Sequence, residues 1–176
     1  PRFTPACTDE LMTALGKIAT EQNLCVQSHL SENLDEIAWV RSLHPDCAQY
    51  WESYDKFGLW KSHTVMAHCI HSDERERTAI REAGVVVAHC PDSNINLCSG
   101  IAPVREMLNE GIHVTLGTDI AAGSSLAGRR MVTMSIQASK VRSFTDPAHP
   151  AFLTVPEAYY LGTTSGHRYF GAGSGF

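Results

Sequence analysis

Short apolar segments alternate with helix-forming segments along most of this 176-residue chain. The apolar segments predict strands at 24–28, 64–67, 85–88 and 112–117. Apolar residues spaced three and four apart predict helices at 8–22, 32–43, 72–83, 102–110, 126–141 and 156–161. Apolar strands separated by helices form parallel β/α units, so the predicted fold class is α/β. From this alternation alone, a doubly wound sheet and a (β/α)₈ barrel are both possible.

Each of the four predicted strands is followed at its carboxyl end by a residue that can bind metal or move a proton. These residues are His29, His68, His89 and Asp119. Barrel enzymes build their active sites in this way, from the ends of several different strands. A complete barrel has eight strands in about 250 residues, so the four units predict half of a TIM-type barrel.

Turn and cap residues set the remaining boundaries. Ser72 is expected to cap the helix at 72–83, and Gly84 to end it. The segment 44–61 has no clean period and is predicted to be a long loop. The breaker-rich segment 145–150 separates the last two predicted helices. Gly117, just before an acid at a strand end, is expected to let the backbone approach a ligand closely.

Charge, hydropathy and cysteine content exclude several classes of partner. The net charge of −5 opposes binding to nucleic acid. No apolar run approaches the roughly 20 residues that span a bilayer, so no membrane partner is expected. The six cysteines include no CxxC pair and suit reduced core residues, which predicts a cytoplasmic protein.

Glu32 and Asp119 supply carboxylates next to the strand-end histidines. Glu32 comes three residues after His29, so an imidazole and a carboxylate would face the same point, one holding a metal and the other carrying protons. Asp119 can coordinate a metal and accept a proton from its water. Each residue also has a structural interpretation: His68 as a buried hydrogen-bonded side chain, and the two acids as helix caps.

Four motifs resemble the amidohydrolase superfamily. They are Gln-Ser-His-Leu-Ser-Glu-Asn at 27–33, Val-Met-Ala-His at 65–68, Ala-His-Cys-Pro-Asp-Ser-Asn at 88–94 and Leu-Gly-Thr-Asp at 116–119. Within this superfamily, Pro1-Arg2-Phe3 and the block at 28–33 are similar to the members that deaminate guanine. The resemblance implies a (β/α)₈ barrel and hydrolytic deamination of guanine, a small purine, to xanthine and ammonia.

The same resemblance assigns a role to each matching residue. His29 and Asp119 would be ligands of one zinc ion, and His68 would orient the attacking water or the substrate. Glu32 would be the proton shuttle. Arg2 and Phe3 would contact the purine, together with His29, Glu32 and Asp119. His89 belongs to the block at 88–94, whose expected role is positional.

One family feature is absent from this sequence, namely the His-x-His pair of the first barrel strand. Catalytic zinc normally has about three protein ligands, so the remaining ligands are expected outside this chain. The chain, residues 1–176, is therefore expected to correspond to barrel strands 5 to 8, without the amino-terminal half and the small β-domain. The isolated chain should be inactive, and the full-length enzyme a homodimer.

Two alternatives stay open at this point. The activity could be that of another deaminase or a chlorohydrolase of the same superfamily, because this set of strand-end residues serves several leaving groups. The chain could also be a catalytically inert fragment that acts only as a binding module.

Overall fold

The strands form a single parallel sheet in the computed structural model, which describes residues 1–145 and 150–171. The strands are β1 (Val26–Leu30), β2 (Thr64–His68), β3 (Val86–His89) and β4 (Val114–Leu116), in the spatial order β1-β2-β3-β4. A doubly wound sheet reverses its strand order at a switch point, whereas here each strand pairs with the next along the chain. The sequential order is that of a (β/α)₈ barrel, which confirms the predicted fold class.

The helices agree with the predicted alternation, with additional short elements. Their bounds are α1 Asp9–Glu21, α2 Leu34–Leu43, α3 Glu52–Asp55, α4 Glu74–Ala83, α5 Pro91–Asn96, α6 Val104–Asn109, α7 Gly128–Thr145, α8 Val155–Gly162 and α9 Thr164–Phe170. The sequence did not predict α5 or α9, because six or seven residues are too few to establish a helical period. Residues 146–149, within the predicted linker at 145–150, lie outside the described residues.

The caps of α2 and α4 differ from the prediction. Asp73, not Ser72, caps α4, and its side chain accepts a hydrogen bond from a backbone N–H of the first turn. Asn33 caps α2 in the same way, so Glu32 lies just before the helix and its carboxylate is free to face the sheet. Gly84 ends α4 with φ of +67°, as predicted.

The two faces of the sheet differ in burial. Residues on one face pack against the helices and are at most 5% exposed, and they include Val26, Leu30, Met66, Val87 and Val114. The opposite face is less uniform: Gln27, His29, Val65, Ala88 and Thr115 are half-buried or exposed, whereas Ala67 and Val86 are buried. Among the described residues, burial is therefore more extensive on the first face than on the second.

The segment 44–61 belongs to the core, although the sequence predicted a long loop. Its aromatic residues Tyr50, Tyr54 and Trp60 are buried, with Leu59 between them. α3 is a single helical turn within this segment. Within residues 1–145 and 150–171, no helix combines the length and the apolar character needed to cross a membrane.

Candidate active site

Three predicted site residues meet at the carboxyl ends of the strands. His29, His68 and Asp119 each offer one ligand atom, and these atoms lie within 4.8 Å of one another. The rings of His29 and His68 stack, with centroids 5.1 Å apart and planes 20° from parallel. Small side-chain rotations would bring such a group around a single ion.

His29 is oriented by the amino-terminal segment. Its ring Nδ1 and its backbone N–H both face the carbonyl oxygen of Arg2, which also accepts the Ser28 hydroxyl at 2.9 Å. The Tyr54 hydroxyl donates to the His29 carbonyl at 2.7 Å and lies 3.0 Å from Ser28 Oγ. These contacts occupy Nδ1 of His29 and leave Nε2 to face the site.

His68 is 1% exposed and has a partner at only one ring nitrogen. Nδ1 lies 2.8 Å from Asn94 Oδ1. Nε2 has no hydrogen-bond partner among the described residues, and Glu32 Oε2 is 3.6 Å away, beyond hydrogen-bonding distance. A buried polar atom without a partner is costly in a folded protein, so this nitrogen is suited to a ligand.

Each candidate carboxylate is held through one oxygen. The Ser99 hydroxyl donates to Oε1 of Glu32 at 2.9 Å, and the Ser93 hydroxyl donates to Oδ2 of Asp119 at 2.5 Å. The second oxygen of each carboxylate is left for a metal, a water or a substrate. Imidazole nitrogens and carboxylate oxygens are zinc ligands, so the donor set and the unpartnered Nε2 of His68 fit that metal.

His89 and Cys90, at the end of β3, are buried and do not face a ligand. Burial, together with a smaller effect of the neighbouring His68, lowers the pKa of His89 to about 4. His89 is thus neutral at physiological pH, and it is not part of the three-residue group. Burial raises the pKa of the Cys90 thiol to about 12, so this cysteine is not a nucleophile at neutral pH.

Gly117 is closely packed against β3. A Cβ added there would lie 3.0 Å from Cys90 Sγ and 3.9 Å from the Ala88 side chain. The absent side chain lets β4 lie close to β3, and the Gly117 N–H donates to the His89 carbonyl at 2.9 Å. The predicted role of this glycine, close approach of the backbone to a ligand, stays a prediction.

The backbone is strained where the strands end. Six non-glycine residues in the described chain have positive φ, and four of them lie at the site. His68 ends β2, Ser31 and Cys69 directly follow strands, and Asp119 comes three residues after β4. Such a conformation costs of order 1–2 kcal/mol for an L-residue with a side chain. Strain of this kind clusters at functional sites. Here it occurs at two members of the three-residue group: His68, the last residue of β2, and Asp119, in the loop after β4.

A cleft of about 450 Å³ lies beside His29 and Glu32. Arg2 and Phe3 also line it, so four residues predicted to contact substrate share one cavity. Trp39 completes the wall, with its ring edge-on to Phe3 at a centroid distance of 6.1 Å. The cleft thus combines aromatic surface with one guanidinium and three carboxyl groups, because Asp35 and Glu36 line it together with Glu32.

Sequence reasoning missed the residues that hold the site in place. Asn94, Ser93 and Ser99 contact His68, Asp119 and Glu32, and Tyr54 contacts the β1 end. The signal for Ser93 and Asn94 was present in the motif at 88–94, to which only a positional role was assigned. Ser99 and Tyr54 carry no motif, because their partners are brought close only by the fold.

Comparisons with known proteins identify the family of this chain. The model of the amidohydrolase family matches residues 1–175. Guanine deaminase from Dictyostelium discoideum is 42% identical over 168 residues, covering 96% of this chain and 37% of that protein. The chain therefore spans less than half the length of this curated relative.

Solved structures also resemble this chain. A crystal structure of guanine deaminase from C. acetobutylicum, with guanine bound in its active site, superposes with a TM-score of 0.96 at 48% identity, covering 99% of this chain and 42% of that one. Atrazine chlorohydrolase from Arthrobacter aurescens, complexed with zinc, superposes at 0.77 with 25% identity, covering 94% of this chain and 36% of that one.

Proposed function

This chain belongs to the amidohydrolase family, and we propose that it supplies part of the active site of a zinc-dependent hydrolase that converts guanine to xanthine and ammonia. The observation that carries the proposal is the shared cleft. Arg2 and Phe3 line the same 450 Å³ cavity as His29 and Glu32. A purine would thus meet an aromatic face, a cationic donor and a proton carrier within one space.

The metal would be held by His29 and Asp119, and His68 lies in the same group. When bound, zinc would supply the Lewis acidity that lowers the pKa of its water to about 7. The guanine-bound relative supports guanine as the substrate, and the zinc-bound chlorohydrolase supports zinc as the metal. Further zinc ligands are expected from residues outside this chain.

The chain's own residues would divide the proton transfers. Asp119 accepts a proton from the attacking water through the oxygen that Ser93 leaves free. Glu32 protonates a ring nitrogen, so the carbon that bears the amino group becomes more electrophilic. The leaving ammonia takes the proton that Asp119 accepted, and the hydroxyl proton of the new C–OH group returns to Glu32 as that group becomes a carbonyl. One water is then consumed for each ammonia released, and both carboxyl groups return to their starting state.

Arg2 and Phe3 would fix the geometry of attack. The Arg2 guanidinium lies 5.2 Å from the centre of the Phe3 ring, and can donate to an acceptor on a base that rests against Phe3. Holding the base in this way reduces the entropic cost of reaching the transition state. His68, with its unpartnered Nε2, would orient the water or the substrate.

Replacing Glu32 by Gln in the full-length protein tests the mechanism. The amide keeps the Ser99 contact but cannot carry the proton, so turnover of guanine should fall by about 10²- to 10⁴-fold while zinc content is unchanged. Metal analysis and product formation would be measured on the same preparation. Glu21→Gln, on the exposed face of α1, is the matched control and should behave like the wild type.

Two results would contradict the proposal. The first is full turnover by Glu32→Gln. The second is a zinc-loaded, folded wild-type protein that does not convert guanine, which would favour the inert binding module or a different substrate within the family.

The remaining expectations are proposals about the full-length protein. We assign β1 to β4 to barrel strands 5 to 8, which the sequential strand order and the 37–42% coverage of the relatives support. We place the protein in the cytoplasm, which the six free cysteines support. A homodimer stays a prediction that analytical ultracentrifugation would test.

A further inference from the structure

We propose that Asn94 is a positioning residue that fixes His68 in the tautomer with Nδ1 protonated and Nε2 unprotonated, so that Nε2 is an acceptor. The tautomer of the His68 imidazole is independent of the reaction. The effect of this tautomer on substrate binding rests on the proposed function. The proposal assigns a role to a buried amide that the mechanism above does not use.

Both backbone polar groups of Asn94 form hydrogen bonds. Its N–H donates to the Cys90 carbonyl at 3.0 Å, and its own carbonyl accepts from the Ser99 N–H at 2.9 Å. The residue is 1% exposed. The amide therefore has little freedom to move away from His68.

The contact between the two side chains determines the tautomer. Asn94 Oδ1 lies 2.8 Å from His68 Nδ1, and an amide oxygen can only accept. Nδ1 must then carry the proton of the neutral imidazole. A neutral ring has a single N–H, so Nε2 presents a lone pair.

The surroundings of Nε2 agree with this assignment. Glu32 Oε2 is 3.6 Å away and would be drawn closer by an Nε2–H donor, but no hydrogen bond forms. With Glu32 ionised, as it is after it has transferred its proton to the ring, two acceptors thus face each other across this short gap. A ligand that donates an N–H or O–H into the gap would satisfy both, which favours a substrate with amide or amino hydrogens such as guanine over an aprotic ring.

The amide nitrogen of Asn94 has no part in these contacts. Nδ2 is buried and has no hydrogen-bond partner among the described residues. A purely structural asparagine would be expected to use both of its polar atoms. Within the part of the chain that the structure describes, the Asn94 side chain hydrogen-bonds only to His68, so its effect on the site should act through the ring.

The direct test is nitrogen NMR of ¹⁵N-histidine-labelled full-length protein without metal, with His68 assigned by comparison with His68→Gln. We expect His68 Nδ1 to be protonated and Nε2 unprotonated. A protonated Nε2 in the wild type would overturn the proposal. Because neither metal nor turnover enters this measurement, its failure is distinguishable from failure of the proposed function.

A double-mutant cycle tests the consequence. Asn94→Ala should lower kcat/KM for guanine about 10- to 100-fold, the usual effect of losing a residue that orients a histidine at a metal site. In a His68→Ala background the same change should have almost no further effect. If Asn94→Ala lowers kcat/KM by the same factor in the His68→Ala background as in the wild type, Asn94 does not act through His68.

Asn96→Ala is the matched control. Asn96 is on the same helix but is exposed, and its side chain donates only to the Ala122 carbonyl. It should leave both the NMR spectrum of His68 and kcat/KM unchanged. If Asn94→Ala alone reduces folding, Asn94→Asp keeps the acceptor and should preserve the Nδ1-protonated tautomer, and its failure to do so would also contradict the proposal.

Discussion

Ser93 and Asp119 lie on different β/α units, yet the Ser93 hydroxyl donates to Oδ2 of Asp119 at 2.5 Å. The contact leaves one carboxylate oxygen for a metal. It also fixes the carboxylate at a point where the Asp119 backbone is in the left-handed region, with φ of +45°. Ser93 therefore orients the side chain of Asp119, whose own backbone has an unfavourable conformation.

Ser93→Ala in the full-length protein should weaken zinc binding about 10- to 100-fold, because a residue that orients a metal ligand typically contributes that much to affinity. Competition with a chelator of known affinity would measure the change. Ser42→Ala, an exposed serine whose hydroxyl donates to the Trp39 carbonyl, is the control. Equal zinc affinity in both variants would contradict the role of Ser93.

Arg2→Ala should raise KM for guanine more than it lowers kcat, because the guanidinium lines the cleft rather than the three-residue metal group. Turnover of guanine, cytosine, adenosine and triazines would be compared for the wild type and the variant. The loss should be confined to the substrate that the enzyme naturally uses. If a triazine is turned over faster than guanine by the wild type, the chlorohydrolase alternative is favoured.

The ion pair between Arg105 and Glu157 predicts a pH dependence of stability. Two hydrogen bonds from the guanidinium, at 2.9 and 2.7 Å, lower the pKa of Glu157 from its ordinary 4.5 to about 2. A lowered pKa stabilises the folded state above about pH 4.5, and this contribution is lost as the pH falls toward 2. Because Glu157 is partly exposed, solvent screening reduces the size of the effect.

Glu157→Gln should therefore flatten the acid side of the stability curve, measured as the denaturant midpoint at a series of pH values. Glu21→Gln removes a carboxylate that is 3.8 Å from Lys17 in open solvent. Such pairs contribute little to stability, so this control should reproduce the wild-type curve. An unchanged curve for Glu157→Gln would contradict the prediction.

Gly16 is required for the packing of α1 against the segment 44–61. A Cβ at this position would lie 1.7 Å from the backbone oxygen of Phe57. Gly16→Ala should lower the free energy of unfolding by about 3 kcal/mol or more, because the backbone must move to relieve the overlap.

Gly128→Ala is the matched control for that change. No atom lies within 4 Å of a Cβ added at Gly128, at the start of α7. The free energy of unfolding should change by less than about 1 kcal/mol. Denaturant unfolding of both variants would measure the difference, and equal stabilities would contradict the packing argument.

The fold class and the convergence of the strand ends were predictable from the sequence because both follow from local patterns. Apolar strands alternate with helices, and His29, His68 and Asp119 each come at or just after the end of a strand. Parallel strands present their carboxyl ends at one edge of the sheet, so their proximity follows from topology. No knowledge of side-chain packing was needed for this step.

Contacts between distant segments could not be predicted. Tyr54 lies in a segment without periodicity, and its hydroxyl reaches β1 only after the core has formed. Ser99 reaches Glu32 across 67 residues. The boundaries of α2 and α4 also depended on which of two neighbouring polar residues capped each helix, and Asn33 and Asp73 differ from their competitors by small free energies.

Ser93 and Asn94 are consecutive residues of α5, and each restrains a group from a different strand end. A displacement of this one helical turn would carry the carboxylate of Asp119 and the imidazole of His68 away together. Asp119 and His68 would then become ordered or disordered together rather than one at a time. A molecule that binds to α5 and shifts it would therefore change the positions of both side chains.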